Sequence, residues 1–228
     1  MSDIFEKTKQ LIGADGYKRL SEACVLVVGV GGVGGAATEV LARTGVGRLV
    51  LVDGDVFEHS NLNRQIMSSQ SAIGAFKAEA AKERILSVNP SADVVAINVY
   101  FDDKSKDDIF NDGMRYDYCI DAIDDADNKV KLIIECKRRG VPVISAMGAG
   151  NRLDCNFAVT DIYKTQYDPF AKLMRRKLKD AGIASLETVC AATPPTVKLA
   201  KPSSIAAPPF VMGAIMADRA ICAMIGLS

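Results

Sequence analysis

The chain has 228 residues, 49% of them hydrophobic, enough to bury a substantial core as one large domain and inconsistent with a disordered chain. Its 28 basic and 28 acidic residues cancel, so no global field draws it to nucleic acid or to a membrane, and any RNA contact has to come from a local patch. The start shows no cleavable apolar segment, and Asp218 and Arg219 break the apolar run 210–228 into pieces too short to cross a bilayer; a cytoplasmic protein without membrane association is expected, the run serving as a docking helix.

Strand and helix alternate along the chain. Apolar strands are expected near 24–28, 48–52, 93–99, 116–120 and 141–146, with helices near 33–44, 77–88, 104–111 and 128–139. That order builds an α/β fold: a Rossmann-like, doubly wound and largely parallel sheet. After Gly148-Ala149-Gly150 the pattern changes to short strands near 156–160 and 186–190 around a basic helix, Pro169 to Ala181, so the C-terminal half should be mixed. Pro194, Pro195, Pro202, Pro208 and Pro209 suit helix poorly and predict an exposed crossover loop before the last helix.

The first strand leads into Gly29, Gly31 and Gly34, a G-x-G-x-x-G turn at the mouth of a helix. The first glycine permits the tight turn, the second lets a phosphate approach the backbone, and the third lets helix and strand pack closely. The second strand ends at Asp53, where a carboxylate can accept hydrogen bonds from ribose hydroxyls. That much says only nucleotide. The segment after Asp53 departs from a dehydrogenase: Asp55, Asn61, Asn63, Arg64 and Gln65 crowd one polar loop, and Lys77 adds a compact cation near the next helix start. Arg64 offers a planar fork to phosphate, and with Lys77 it could neutralise the β- and γ-phosphates of ATP during attack at the α-phosphorus. A later strand carries Asp121, Asp124 and Asp125 at its carboxyl end, where hard oxygen ligands beside phosphates suit Mg²⁺.

Six cysteines, at 24, 119, 136, 155, 190 and 222, form no C-x-x-C pair, so a tetrahedral zinc site is not expected. Cys24, Cys119, Cys136 and Cys222 fall in apolar elements and read as buried reduced thiols; Cys155 and Cys190 are less settled, and nothing beside Cys190 suggests a lowered thiol pKa. His59 is the single histidine, which excludes a His-based metal cluster or triad within one chain. Asp125 and Asp127 read as helix-start residues, and Lys172, Arg175, Arg176, Lys177 and Lys179 make a basic helix face.

In GVGGVGG, D-G-D, N-L-N-R-Q, Lys77 and D-A-I-D the chain resembles the adenylating enzymes related to the ubiquitin-activating enzymes, the molybdopterin-synthase activator and the thiamine-pathway sulfur-carrier activator. The segment 145–183, with FEKTKQLIGADGYKRL and PSSIAAPPFVMGAIMADRAI, is similar to the tRNA threonylcarbamoyladenosine dehydratase branch. The resemblance implies a single adenylating, ThiF-like domain over 1–228, with a nucleotide-binding core about 20–150 and a substrate and crossover region about 151–228. It implies ATP-dependent adenylation of the threonyl carboxylate on the adenosine beside the tRNA anticodon, ring closure by the ureido group, and release of AMP and pyrophosphate. Gly29, Gly31, Gly32 and Gly34 would frame the nucleotide, Asp53 and Asp55 hold ribose, and Asn61, Arg64, Gln65 and Lys77 grip phosphates. Asp124 would hold Mg²⁺ with Asp121 in support, and Arg64, Lys77 and Asp124 would carry the chemistry.

The resemblance also implies tRNA as partner and a homodimer, and leaves a sulfur-relay or carrier protein open. The family commonly has an N-terminal arginine that reaches the partner's nucleotide; this chain has Lys7 there, which keeps the charge and loses the fork, and Arg19 aligns less well. The alternative function is activation of the C-terminus of a ubiquitin-like sulfur-carrier protein, against which the missing zinc cysteines count. A dehydrogenase would need an acid/base that the single His59 and the long phosphate loop do not suit. Binding residues alone do not separate an enzyme from a nucleotide sensor.

Overall fold

The protein is described by a computed structural model covering residues 3–111, 113–197 and 199–227. One seven-stranded sheet organises the chain, in the order β3-β2-β1-β4-β5-β7-β6. The strands are β1 Cys24–Val28, β2 Arg48–Val52, β3 Asp93–Ile97, β4 Tyr118–Asp121, β5 Val143–Ala146, β6 Phe157–Asp161 and β7 Glu187–Ala191. Every neighbouring pair is parallel except β6 against β7. The mixed C-terminal half is therefore an extension of the parallel sheet: β7 runs parallel beside β5, and β6 returns along its outer edge.

The helices are α1 Glu6–Glu22, α2 Gly32–Thr44, α3 Lys77–Val88, α4 Lys106–Ile109, α5 Ala126–Arg139, α6 Pro169–Asp180 and α7 Ala207–Ile225. Alternation along each central strand divides the core between the two faces of the sheet. Val25, Val27, Leu49, Leu51 and Ile120 join Leu41, Ile85 and Met216 on the face covered by α2, α3 and α7. Leu26, Val28, Val50, Val52 and Cys119 join Leu132, Ile133 and Met174 on the face covered by α5 and α6. β1, with all five residues buried, lies inside the sheet between β2 and β4.

Three departures from the sequence expectations have local causes. The N-terminal segment forms a helix kinked at Gly13, whose φ is 75°; its apolar residues are too few and too scattered to announce it. The expected helix 104–111 shrinks to one turn, Lys106–Ile109. Pro208 and Pro209 are not in an exposed loop: both are buried in the first turn of α7, where the missing proline N–H would have had no intrahelical partner. Pro194 and Pro202 are exposed in the crossover segment, as expected.

α7 is 19 residues long and by length and composition apolar enough to cross a membrane, yet Met212, Gly213, Met216, Ala217 and Ala220 are buried inside the fold. It crosses α2 so closely that a Cβ on Gly213 would stand 2.2 Å from the Val33 carbonyl oxygen. It is a docking helix as expected; Ser228, the end of its run, lies outside the described residues.

Candidate functional site

Because β1 lies between β2 and β4 while the chain order reverses there, the carboxyl ends of these strands open a crevice, the usual ligand position in an open α/β sheet. A cleft of about 710 Å³ occupies it. Sites of about 300–1,000 Å³ take nucleotide-sized ligands. Its wall runs through Gly29, Gly31 and Gly32, Asp53 and Asp55, Arg64 and Gln65, Lys77, Tyr100, Asp124, Gly150 and the crossover residues Pro202 to Ser204.

The floor is built from backbone. Gly29 has φ 87°, and a Cβ there would lie 2.6 Å from the Ala122 carbonyl oxygen in the loop after β4. Gly34 sits on Gly29 so closely that its Cβ would come within 1.7 Å of the Gly29 oxygen. The first turn of α2 thus starts directly at the end of β1 and leaves its unpaired N–H groups at the cleft. Asp53, buried at 8% exposure, fastens this turn: its carboxylate accepts Val30 N–H at 2.6 Å and Asp55 N–H at 2.9 Å. Burial pushes its pKa upward against those two bonds, and its remaining lone pairs face a cleft that ribose hydroxyls can enter.

The opposite wall is made of charges. Lys77, the first residue of α3, is buried at 7% exposure, and its Nζ donates to Asp55 Oδ2 at 2.6 Å. Tyr100 Oη donates to the other Asp55 oxygen at 2.5 Å. Burial would raise the Asp55 pKa, but the bonds from Lys77 and Tyr100 outweigh it and hold the carboxyl below its ordinary value. Asp55 is thus the counter-ion of Lys77 as well as a cleft residue. Arg64 Nη1 donates to the Ser60 carbonyl at 2.7 Å and to Asn63 Oδ1 at 2.9 Å, which leaves its other donors for a ligand.

Asn61 takes a different place from its neighbours. It is buried, its Oδ1 accepts Glu58 N–H at 3.1 Å in a capping box, and the cleft wall at this point is formed by Ser60 and Asn63 instead. Gln65 lines the cleft at 7% exposure with its Oε1 buried and unpartnered, an orphaned polar atom of the kind a bound ligand satisfies.

Asp121 lies outside the cleft wall, fully buried beneath it. Its Oδ1 pairs with Lys129 Nζ at 3.0 Å and its Oδ2 accepts Ser145 Oγ–H at 2.7 Å. Burial raises its pKa, opposed by Lys129 and Ser145. Asp124, three residues on, is exposed on the wall, and among the described residues it has no hydrogen-bond or ion-pair partner. No group of three metal-ligating side chains occurs among the described residues. A single free carboxylate facing a phosphate cleft fits Mg²⁺, which takes one or two protein carboxylates and completes its shell with phosphate and water. Asp125 caps α5 by accepting Asn128 N–H at 2.8 Å and Asp127 lies in its first turn, both as expected, and Asp127 also pairs with Lys177 at 2.5 Å.

Tyr100, Lys129 and Ser145 were not singled out by the sequence. Tyr100 follows the carboxyl end of β3, a position that itself marks ligand-facing residues in such sheets. The six cysteines are free thiols. Cys190 is buried on β7 at 2% exposure and absent from the cleft wall; burial pushes its pKa up to about 12. On α6, Lys177 is held by Asp127 and Arg175 by Thr165, while Lys172, Arg176 and Lys179 have no hydrogen-bond or ion-pair partner among the described residues. Lys7 and Arg19 are exposed; Arg19 Nη1 donates to the Ile225 carbonyl at the end of α7.

The ThiF family model matches residues 6–227. The tRNA threonylcarbamoyladenosine dehydratase of Bacillus subtilis is 42% identical over 180 residues, covering 78% of this chain and 70% of that protein. The enzyme of the same name from Escherichia coli is 38% identical over 181 residues, 78% of this chain and 67% of its own. The crystal structure of the E. coli N6-threonylcarbamoyladenosine dehydratase TcdA in complex with ATP superposes with a TM-score of 0.91 at 31% identity, over 97% of this chain and 93% of that one.

Proposed function

The chain belongs to the ThiF family, and from that premise we propose that it is an ATP-dependent tRNA threonylcarbamoyladenosine dehydratase. The observation that carries this is the junction of a backbone-built phosphate floor, Gly29 to Gly34, with a wall of Arg64, Lys77 and Asp124, in a fold whose ATP-bound neighbour has that activity in its name.

A carboxylate does not readily lose oxygen, and adenylation solves this by making that oxygen part of a leaving group. The threonyl carboxylate attacks the α-phosphorus of ATP and pyrophosphate leaves. The ureido group then attacks the acyl carbon, the ring closes and AMP departs, so the modified nucleoside loses one water. The N–H groups of the first α2 turn hold phosphate oxygens, and Asp53 and Asp55 accept ribose hydroxyls. Arg64 and Lys77 face the β- and γ-phosphates and stabilise charge as it moves to pyrophosphate, with Gln65 and Asn63 completing the loop. Asn61 supports that loop through its cap. Asp124 would hold Mg²⁺, which supplies further charge neutralisation on the phosphates, and Asp121 fixes the loop that carries it. No protein nucleophile is needed.

The unpaired cations Lys172, Arg176 and Lys179 on α6 offer phosphate contacts to tRNA in the cytoplasm, and a second copy of the chain completes the assembly. Activation of a sulfur-carrier protein is the weaker reading, because the chain has no C-x-x-C pair and Cys190 is buried away from the cleft. Incubation with ATP, Mg²⁺ and tRNA bearing threonylcarbamoyladenosine separates the two: AMP and pyrophosphate form with this tRNA alone. If they form only when a carrier protein is added, the dehydratase reading fails.

A further inference from the structure

Lys129 is a fully buried ammonium that the chemistry above does not use. A lysine costs several kcal/mol to bury unless each of its donors is met. Here all three are met within one loop: Nζ lies 3.0 Å from Asp121 Oδ1, 3.3 Å from the Asp121 carbonyl and 2.9 Å from the Ile123 carbonyl. Asp121 is the last residue of β4, and Ile123 immediately precedes Asp124. The same loop touches the glycine turn, since the Ala122 N–H donates to the Val28 carbonyl at 2.9 Å and the Ala122 carbonyl lies where a Gly29 side chain would be. Asp121 is in turn held from the other side by Ser145 on β5 and accepts the Ile123 N–H at 3.2 Å.

We propose that Lys129 is a positioning residue, which with Asp121 and Ser145 gathers the loop 121–124 around one buried cation and so presents the Asp124 carboxylate to the metal face of the nucleotide. Asp124 makes no bond of its own to any described residue, so its direction is set by the backbone on which it stands. A purely structural pair would serve anywhere in the core. This one binds the two carbonyls of the loop between the strand end and Asp124, and it lies next to the turn that receives the phosphates.

The inference rests on the ATP–Mg²⁺ reading of the cleft, and the test keeps the two apart. ATP affinity is measured by calorimetry for the full chain, once with excess Mg²⁺ and once with EDTA. Lys129→Met alone strands the buried Asp121 charge and should unfold readily; with Asp121→Asn added, the pair is neutral and the fold is kept. In that double variant the affinity in EDTA stays at the wild-type value, while the gain on adding Mg²⁺ falls by about tenfold or more, the size of loss seen when residues that orient metal ligands are removed. Ser145→Ala, which deletes one bond to Asp121 and little volume, should lower the gain in the same direction by a smaller factor. A wild-type Mg²⁺ gain in both Ser145→Ala and the folded double variant would overturn the proposal, as would one in Ser145→Ala if the double variant does not fold. Absence of ATP binding by the unaltered protein would overturn the reading of the cleft instead.

Discussion

The two walls of the cleft are built by opposite means. The glycine turn between β1 and α2 is a steric construction, in which Gly29 and Gly34 are required because backbone from the same turn and from the loop after β4 fills the places of their side chains. The facing wall, from Asp55 through Arg64 to Lys77, is electrostatic: its cations rest on a carboxylate, one backbone carbonyl and an amide that can be exchanged for phosphate. The difference teaches that damage to the first should appear as lost folding and damage to the second as lost chemistry.

The comparison breaks most visibly at Gly34→Ala. Its methyl group cannot fit 1.7 Å from a carbonyl oxygen, so the turn must move. A destabilisation of about 3 kcal/mol or more is expected in denaturant unfolding, together with loss of ATP binding. Across the cleft, Arg64→Ala and Lys77→Ala should each slow ATP–pyrophosphate exchange by about a hundredfold or more, the cost of one preorganised charge donor, with circular dichroism unchanged. A folded variant of either with wild-type exchange would remove that residue from the charged wall.

Asp55→Asn sharpens the same contrast through pH. Because the Asp55 pKa is lowered in the fold, its contribution to stability is present above the unfolded aspartate value of 3.8 and is lost as pH falls through the folded one. The carboxylate side chain is 46% exposed, so the difference between wild type and variant should be no more than about 1 kcal/mol at neutral pH. It should close as thermal melts are taken below about pH 4. A gap that stays constant across that range would mean that charge is not what holds Lys77.

The fold was legible because its signals are repetitive, apolar strands alternating with helices, with a glycine turn after β1 and carboxylates at the ends of β2 and β4. The steric wall was legible for the same reason, since only glycine meets its constraints. The electrostatic wall was legible as a set of charges, and not in who pairs with whom. Asn61 and Arg64 stand in one motif, yet one caps a turn and the other lines the cleft, a choice made by the local 3₁₀ turn at His59–Asn61. Asp121 and Lys129 are eight residues apart, and their meeting needs the loop 121–124 to fold back, which no periodicity encodes. α1 escaped because Gly13 interrupts it, and Pro208 and Pro209 misled because proline reads as a loop signal unless its position in the first turn is known.

The smallest effect belongs to a residue that lies on neither wall. Cys190→Ser should leave tRNA dehydration largely intact, and the wild-type thiol, with its pKa raised to about 12 by burial, should resist iodoacetamide in the native protein at pH 8. Rapid alkylation of Cys190, or a folded serine variant unable to dehydrate tRNA, would place a thiol in the chemistry.

The central claim is that this cleft transfers the adenylyl group of ATP to a carboxylate on tRNA, and it is tested most directly by following the modified nucleoside itself. After incubation with ATP–Mg²⁺ and tRNA bearing threonylcarbamoyladenosine, mass spectrometry of the digested tRNA should show the nucleoside lighter by one water, with one AMP and one pyrophosphate formed for each conversion. Unchanged nucleoside in the presence of bound ATP and intact substrate tRNA would contradict the account.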